Sequence, residues 1–175
     1  MTKTKQKHYW LMKSEPDTFS IDALAKLGRS PWDGVRNYQA RNHMQAMRVG
    51  DLALFYHSST EERGVVGLSR VVRQAYPDHT QFDPASPYFD KGSKPSAPRW
   101  FMVDVEFVEK FPKLVSLEEL KADAQLTEML VVRRGMRLSV QPVAGKHMRR
   151  ILKRAAAATP VMRRKFAWMW RRQPS

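Results

Sequence analysis

Trp32 stands in the segment Ser30-Pro31-Trp32-Asp33-Gly34-Val35-Arg36-Asn37-Tyr38, in turn chemistry and not on an amphipathic face. An indole so placed can stack a planar ring while Asp33, Arg36, Asn37 and Tyr38 supply polar groups to the ring's edge. Stacking of a base on an aromatic side chain is worth ~1–3 kcal/mol. The same residues also read as plain structure, with Trp32 a plug of the core and Asp33 the cap of the next helix. Two polar pairs, Lys13-Ser14 and His57-Ser58, stand where expected strands run out, a common place for ligand groups because the sheet holds them rigid. Taken singly, each is also an ordinary strand terminus, and His57 fits a satisfied, half-buried histidine.

Other chemistries find no support. The sequence lacks GxGxxG and GxxxxGK[ST] phosphate loops, and it lacks GxSxG. Its histidines, His8, His43, His57, His79 and His147, show neither HxxxH nor HExxH spacing. The absence of cysteine removes disulfides, thiolate zinc sites and a thiol nucleophile. No cofactor and no metal are expected, and no carboxylate pair stands out as an acid/base couple.

The elements that must position these residues follow from pattern. Residues 8–13 read as a strand, closed by Ser-Glu-Pro-Asp turn chemistry. Ile21, Leu24 and Leu27 mark a short helix with Ser20 as N-cap and Gly28 as stop. Residues 30–37 read as a turn, and Ala40, Met44 and Met47 mark a second helical face. Residues 51–73 form an expected β-hairpin, 75–98 a long loop with five prolines, and 99–109 an alternating strand. Ser116-Leu-Glu-Glu is a capping box, and 136–143 is the closing strand. Successive strands without helical crossovers favour an α+β sheet or small barrel over a doubly wound parallel sheet.

The 175 residues suit one domain with a real core. No apolar run approaches the ~20 residues of a membrane span, and the lysine-rich start is too short for a signal peptide. A cytoplasmic protein is expected, nuclear if the source is eukaryotic. Ten of the 31 Lys/Arg fall in residues 146–175, which hold no acid, so the net charge of +14 belongs mostly to that stretch. We therefore divide the chain into a domain over 1–145 and a basic amphipathic tail over 146–175. In the tail Met148, Ile151, Leu152 and Ala155 share one helical face. Arg149, Arg150, Lys153 and Arg154 share the other and suit phosphate contacts; a solvated tail, an acidic partner or a membrane surface remain open.

The segments YWLMKSEPDTFSIDAL, WDGVRNYQARN, LFYHSS, GVVGLSRVVRQAYPDHTQFDP, YFD, PRWFMVDVEFVEKF and RLSVQPV, in this order, resemble the EVE-domain family over Tyr9 to Val143. The resemblance implies an α+β, PUA-like pseudo-barrel of five or six mostly antiparallel strands with flanking short helices. EVE domains are related to YTH and ASCH domains, and members of this group bind modified bases. By that similarity Trp32 corresponds to a cage aromatic, and Lys13 and Ser14 to residues touching the base edge. Asp33, Arg36 and Asn37 belong to the signature, and Tyr56-His57-Ser58 to its second strand end. Tyr76, Phe82, Tyr88, Phe89 and Trp100 are the aromatics available to close the pocket.

The expected function is that of a reader, not an enzyme. It accepts a flipped, modified base of DNA or RNA in a pocket around Trp32–Tyr38. The alternatives are an ASCH-like amidohydrolase, with Lys13 and Glu15 or Asp33 activating water, and an adaptor acting through the basic tail.

Overall fold

The computed structural model describes residues 7–157 and 160–170, so Arg171 and Arg172 of the basic tail lie outside the described residues. β1 (Tyr9–Ser14) is followed by α1 (Ile21–Leu27). Ser20 caps α1, its hydroxyl accepting from Ala23 N at 3.0 Å, and Gly28 stops it with a φ of 76°. Both ends fall where the sequence places them.

The expected turn then departs from the sequence reading. Arg29–Trp32 form a strand, β2, antiparallel to β5 (Phe101–Ser116), with Pro31 opposite Asp104. β2 is the sheet's edge, where a residue without an N–H does little harm. α2 (Tyr38–Ala46) is capped by Asn37, whose Oδ1 accepts from Ala40 N at 3.0 Å. Asp33 does not cap it.

β3 (Leu52–His57) and β4 (Gly64–Pro77) make the expected hairpin. β5 runs sixteen residues, well past the expected 99–109. The capping box of Ser116 and Glu119 opens α3 (Leu117–Ala122), and β6 (Val140–Val143) is the closing strand. α4 (Gly145–Ala157), α5 (Pro160–Lys165) and α6 (Ala167–Trp170) follow. No helix among the described residues is long and apolar enough to cross a membrane.

The strands form one mixed, open six-stranded sheet in the order β2-β5-β4-β3-β1-β6, with β1 parallel to β3 and the other neighbours antiparallel. β3 reads Leu-Ala-Leu-Phe-Tyr because both of its faces are covered. Alternate residues of β1 and β3 feed two separate cores. Leu11, Leu54 and Tyr56 pack with Leu120, Met148, Ile151 and Leu152 on one face. Trp10, Met12, Ala53 and Phe55 pack with Ile21, Leu24, Trp32 and Met44 on the other. α4 therefore covers the face opposite the one that holds Trp32. The boundary drawn at residue 145 falls at the start of α4, whose apolar face lies in the core.

Candidate functional site

A pocket of about 530 Å³ opens where β1 and β2 meet the loops that follow them. Lys13, Ser14 and Glu15 line it from the end of β1, Thr18 and Phe19 from the next loop, Ser30–Arg36 from β2 onward, and Tyr88 and Ser139 from elsewhere in the chain. The volume is in the range of ligand sites, roughly 300–1,000 Å³.

Trp32 is at once core and pocket wall. It is 6% exposed, and Phe19 and Phe55 pack edge-on against it with ring centroids 6.0 and 5.3 Å away. No group among the described residues accepts a hydrogen bond from its indole N–H. The neighbouring Asp33 faces solvent, and no other described residue hydrogen-bonds its carboxylate. Desolvation, followed by the negative charge of Asp78, holds the Asp33 carboxyl above its ordinary pKa. A carboxylate that no other described residue hydrogen-bonds, in a concave, aromatic-walled site, can accept from a ligand's N–H.

Arg36 does different work. Its guanidinium donates to Tyr88 O from Nε and Nη2, to Val35 O and Asp78 Oδ2 from Nη1, and to Thr80 Oγ1 from Nη2. That accounts for all five of its N–H donors, leaving none for a ligand. Asp78 is fully buried and also accepts from Gly34 N and Thr80 N at 2.8 Å each. Desolvation would raise its pKa, but the Thr80 hydroxyl, Arg36 and these backbone N–H groups together hold it below the ordinary value. Together they pin the long loop beneath Gly34, whose φ is +77° and whose missing Cβ would lie 2.7 Å from the Tyr88 ring. A side chain at residue 34 would push Tyr88 away, so the loop can close on the pocket only over glycine.

Lys13 lines the pocket and donates from Nζ to Met136 O at 2.9 Å. Burial lowers its pKa. The Ser14 hydroxyl is committed to Phe19 O at 2.7 Å. Asn37, Tyr38, His57 and Ser58 do not line the pocket. Asn37 is the α2 cap, and Tyr38 stacks on Trp100 with centroids 4.8 Å apart. His57 Nε2 accepts from Ile21 N at 3.1 Å, which satisfies the first N–H of α1 and requires a neutral ring. Burial accordingly lowers its pKa. Ser58 N bonds Ser14 O, tying the ends of β1 and β3 together.

Of the five loop aromatics only Tyr88 reaches the pocket. Trp100 is buried with its N–H on Asp90, and the Tyr76 hydroxyl is bonded to Asp104. The sequence reading passed over Asp78 and Phe19. The Asp-x-Thr spacing of residues 78–80, a local side-chain turn, was the one available sign of the first. In the basic stretch, Arg150 and Arg154 both clasp the buried Asp123, whose pKa falls to about 2, first through the Arg150 bond. Arg149 and Lys153 are exposed. The described residues hold no cluster that could bind a metal ion.

Known proteins give this arrangement a context. The chain is 46% identical to mouse thymocyte nuclear protein 1 over 155 residues, 78% of this chain and 68% of that protein. The crystal structure of the human THYN1 protein in complex with DNA containing 5-methylcytosine matches with a TM-score of 0.81 at 40% identity, covering 86% of this chain and 98% of that one. A YTH domain from Zygosaccharomyces rouxii shares the fold at a TM-score of 0.50 and 11% identity, over 89% of this chain and 90% of that one. The sequence model described as EVE domain matches residues 8–154, and the chain belongs to the EVE-domain family.

Proposed function

We propose that the protein is a reader of DNA carrying a modified base, and that the base enters the pocket between Trp32 and Tyr88. The observation that carries this reading is the Asp33 carboxylate, hydrogen-bonded by no other described residue, in an aromatic-walled pocket, in a chain whose human relative was crystallised with methylated DNA. A base leaving a duplex gives up stacking and pairing worth a few kcal/mol. Contact with Trp32, Phe19 and Tyr88 offsets that cost. Asp33 accepts from an exocyclic amine, as carboxylates do with cytosine N4. Lys13 has two ammonium donors beyond its bond to Met136, and these serve a ring carbonyl. Trp32, Asp33, Lys13 and Tyr88 are then the ligand-binding residues. Arg36, Asn37, Ser14, His57 and Ser58 hold the site together without touching the base. A methyl group against an apolar wall discriminates by ~1–3 kcal/mol, so the expected preference is tens of fold and not absolute.

Titration of the full chain with otherwise identical duplexes containing cytosine or 5-methylcytosine tests the reading. Tighter binding of the methylated duplex, with the difference lost in Asp33→Ala, is expected. Equal affinity for both, unchanged in Asp33→Ala, overturns it.

A further inference from the structure

Between the 3-10 turn at Leu130–Val132 and β6 the chain runs Arg133-Arg134-Gly135-Met136-Arg137. All three arginines are exposed, and among the described residues none of their guanidinium groups makes a hydrogen bond or ion pair. Several other arginines are already occupied. Arg29 pairs with Asp104, Arg70 with Glu106, Arg99 with Asp90, and Arg150 and Arg154 with Asp123. Arg36 has no donor left, as shown above.

The turn is also fixed to the pocket. Met136 O accepts from Lys13 Nζ at 2.9 Å, and Ser139 O accepts from Lys13 N at 2.8 Å. Lys13 and Ser139 both line the pocket wall. Three permanent charges within five residues are therefore held at the pocket's border by the backbone that positions Lys13. Guanidinium forks match phosphate oxygens in geometry and keep their charge at every working pH. α4 offers less: its two unpaired cations, Arg149 and Lys153, sit on a helix that covers the other face of the sheet.

The geometry points to the 133–137 turn, and not the α4 arginines, as the phosphate clamp for the DNA strand whose base enters the pocket. This rests on the base-reader function only for what occupies the pocket; the clamp itself is sequence-independent.

The test is a salt titration of the full chain with methylated and unmethylated duplexes. It compares the wild type, the triple variant Arg133→Ala/Arg134→Ala/Arg137→Ala, the double variant Arg149→Ala/Lys153→Ala, and Asp33→Ala. Each phosphate contact contributes about 0.9 to the slope of log affinity against log salt. The triple variant should lose about two to three of that slope and weaken both duplexes by the same factor, leaving the methylated-to-unmethylated ratio and the thermal melt unchanged. The double variant should change the slope by less. A triple variant with the wild-type slope, or a double variant that removes more slope than the triple, overturns the clamp. Wild type that shows no methyl preference and is matched by Asp33→Ala, while the triple variant still loses slope, keeps the clamp and defeats the pocket reading. No binding of either duplex by the wild type defeats both.

Discussion

The backbone carbonyl of Tyr88 accepts two hydrogen bonds from Arg36, from Nε at 2.9 Å and from Nη2 at 2.7 Å, while the Tyr88 ring lies against Gly34. Residues 52 positions apart are thereby locked into one wall of the pocket. The long proline-rich loop is not a free lid: its near end is tied down through Asp78, its middle through Tyr88, and its far end through Gln81, whose side chain bonds Trp100 N and O.

Arg36→Ala should cost stability before it costs anything else. It strips the buried Asp78 of its cationic partner, and losing one partner of a buried pair costs about 3–5 kcal/mol. Urea denaturation should show the lower midpoint, and hydrogen exchange should show the protection lost first in residues 78–100.

Asp33→Asn should do the reverse. The ionised carboxylate is disfavoured in the folded state by desolvation and by Asp78, so an uncharged amide leaves the melting temperature equal or higher. Binding should weaken about ten- to a hundredfold, because a hydrogen bond to a charged group contributes about 1.5–3 kcal/mol. In the wild type, binding that needs the carboxylate should fade on acidification at a pH above the ordinary carboxylate value. Calorimetric titration across pH measures both effects.

Asn37→Ala removes a helix cap and nothing that lines the pocket. The expected loss is about 1 kcal/mol of stability, with the methylated-to-unmethylated affinity ratio unchanged. A changed ratio in this variant would return Asn37 to the ligand.

His57 gives the fold a pH dependence of definite sign. Its pKa is lowered in the folded state, so the unfolded chain takes up the proton more readily. The stability that its neutral ring contributes is complete above the ordinary histidine value near 6.5. It is lost as pH falls from there toward the folded pKa. His57→Gln keeps an acceptor for Ile21 N but does not titrate. Its urea midpoint should vary less than the wild type's between neutral pH and pH 5.

Local chemistry made the order of elements legible. Ser20 and Gly28 bracket α1, Ser116 and Glu119 open α3, and the apolar run 52–56 marks the central strand, all because caps and periodicity act between near neighbours in sequence. The signature around Trp32 likewise identified the family, and its residues from Trp32 to Arg36 line the pocket. The division of labour within that neighbourhood was not legible. Arg36, Asn37 and His57 are residue types that can bind a base, and their partners at Asp78, Ala40 N and Ile21 N show them binding the protein. β2 read as a turn because Pro31 and Gly34 flank Trp32, and only pairing with β5 at the sheet's edge makes it a strand. The stretch from 146 read as a tail because its charges are visible in sequence. Burial of Met148, Ile151 and Leu152, and the clasp of Arg150 and Arg154 on Asp123, depend on residues brought together by packing. Sequence thus determined which groups are available, and tertiary structure decided which of them are already taken, because a side chain's donors and acceptors are consumed by whatever the fold places within about 3 Å.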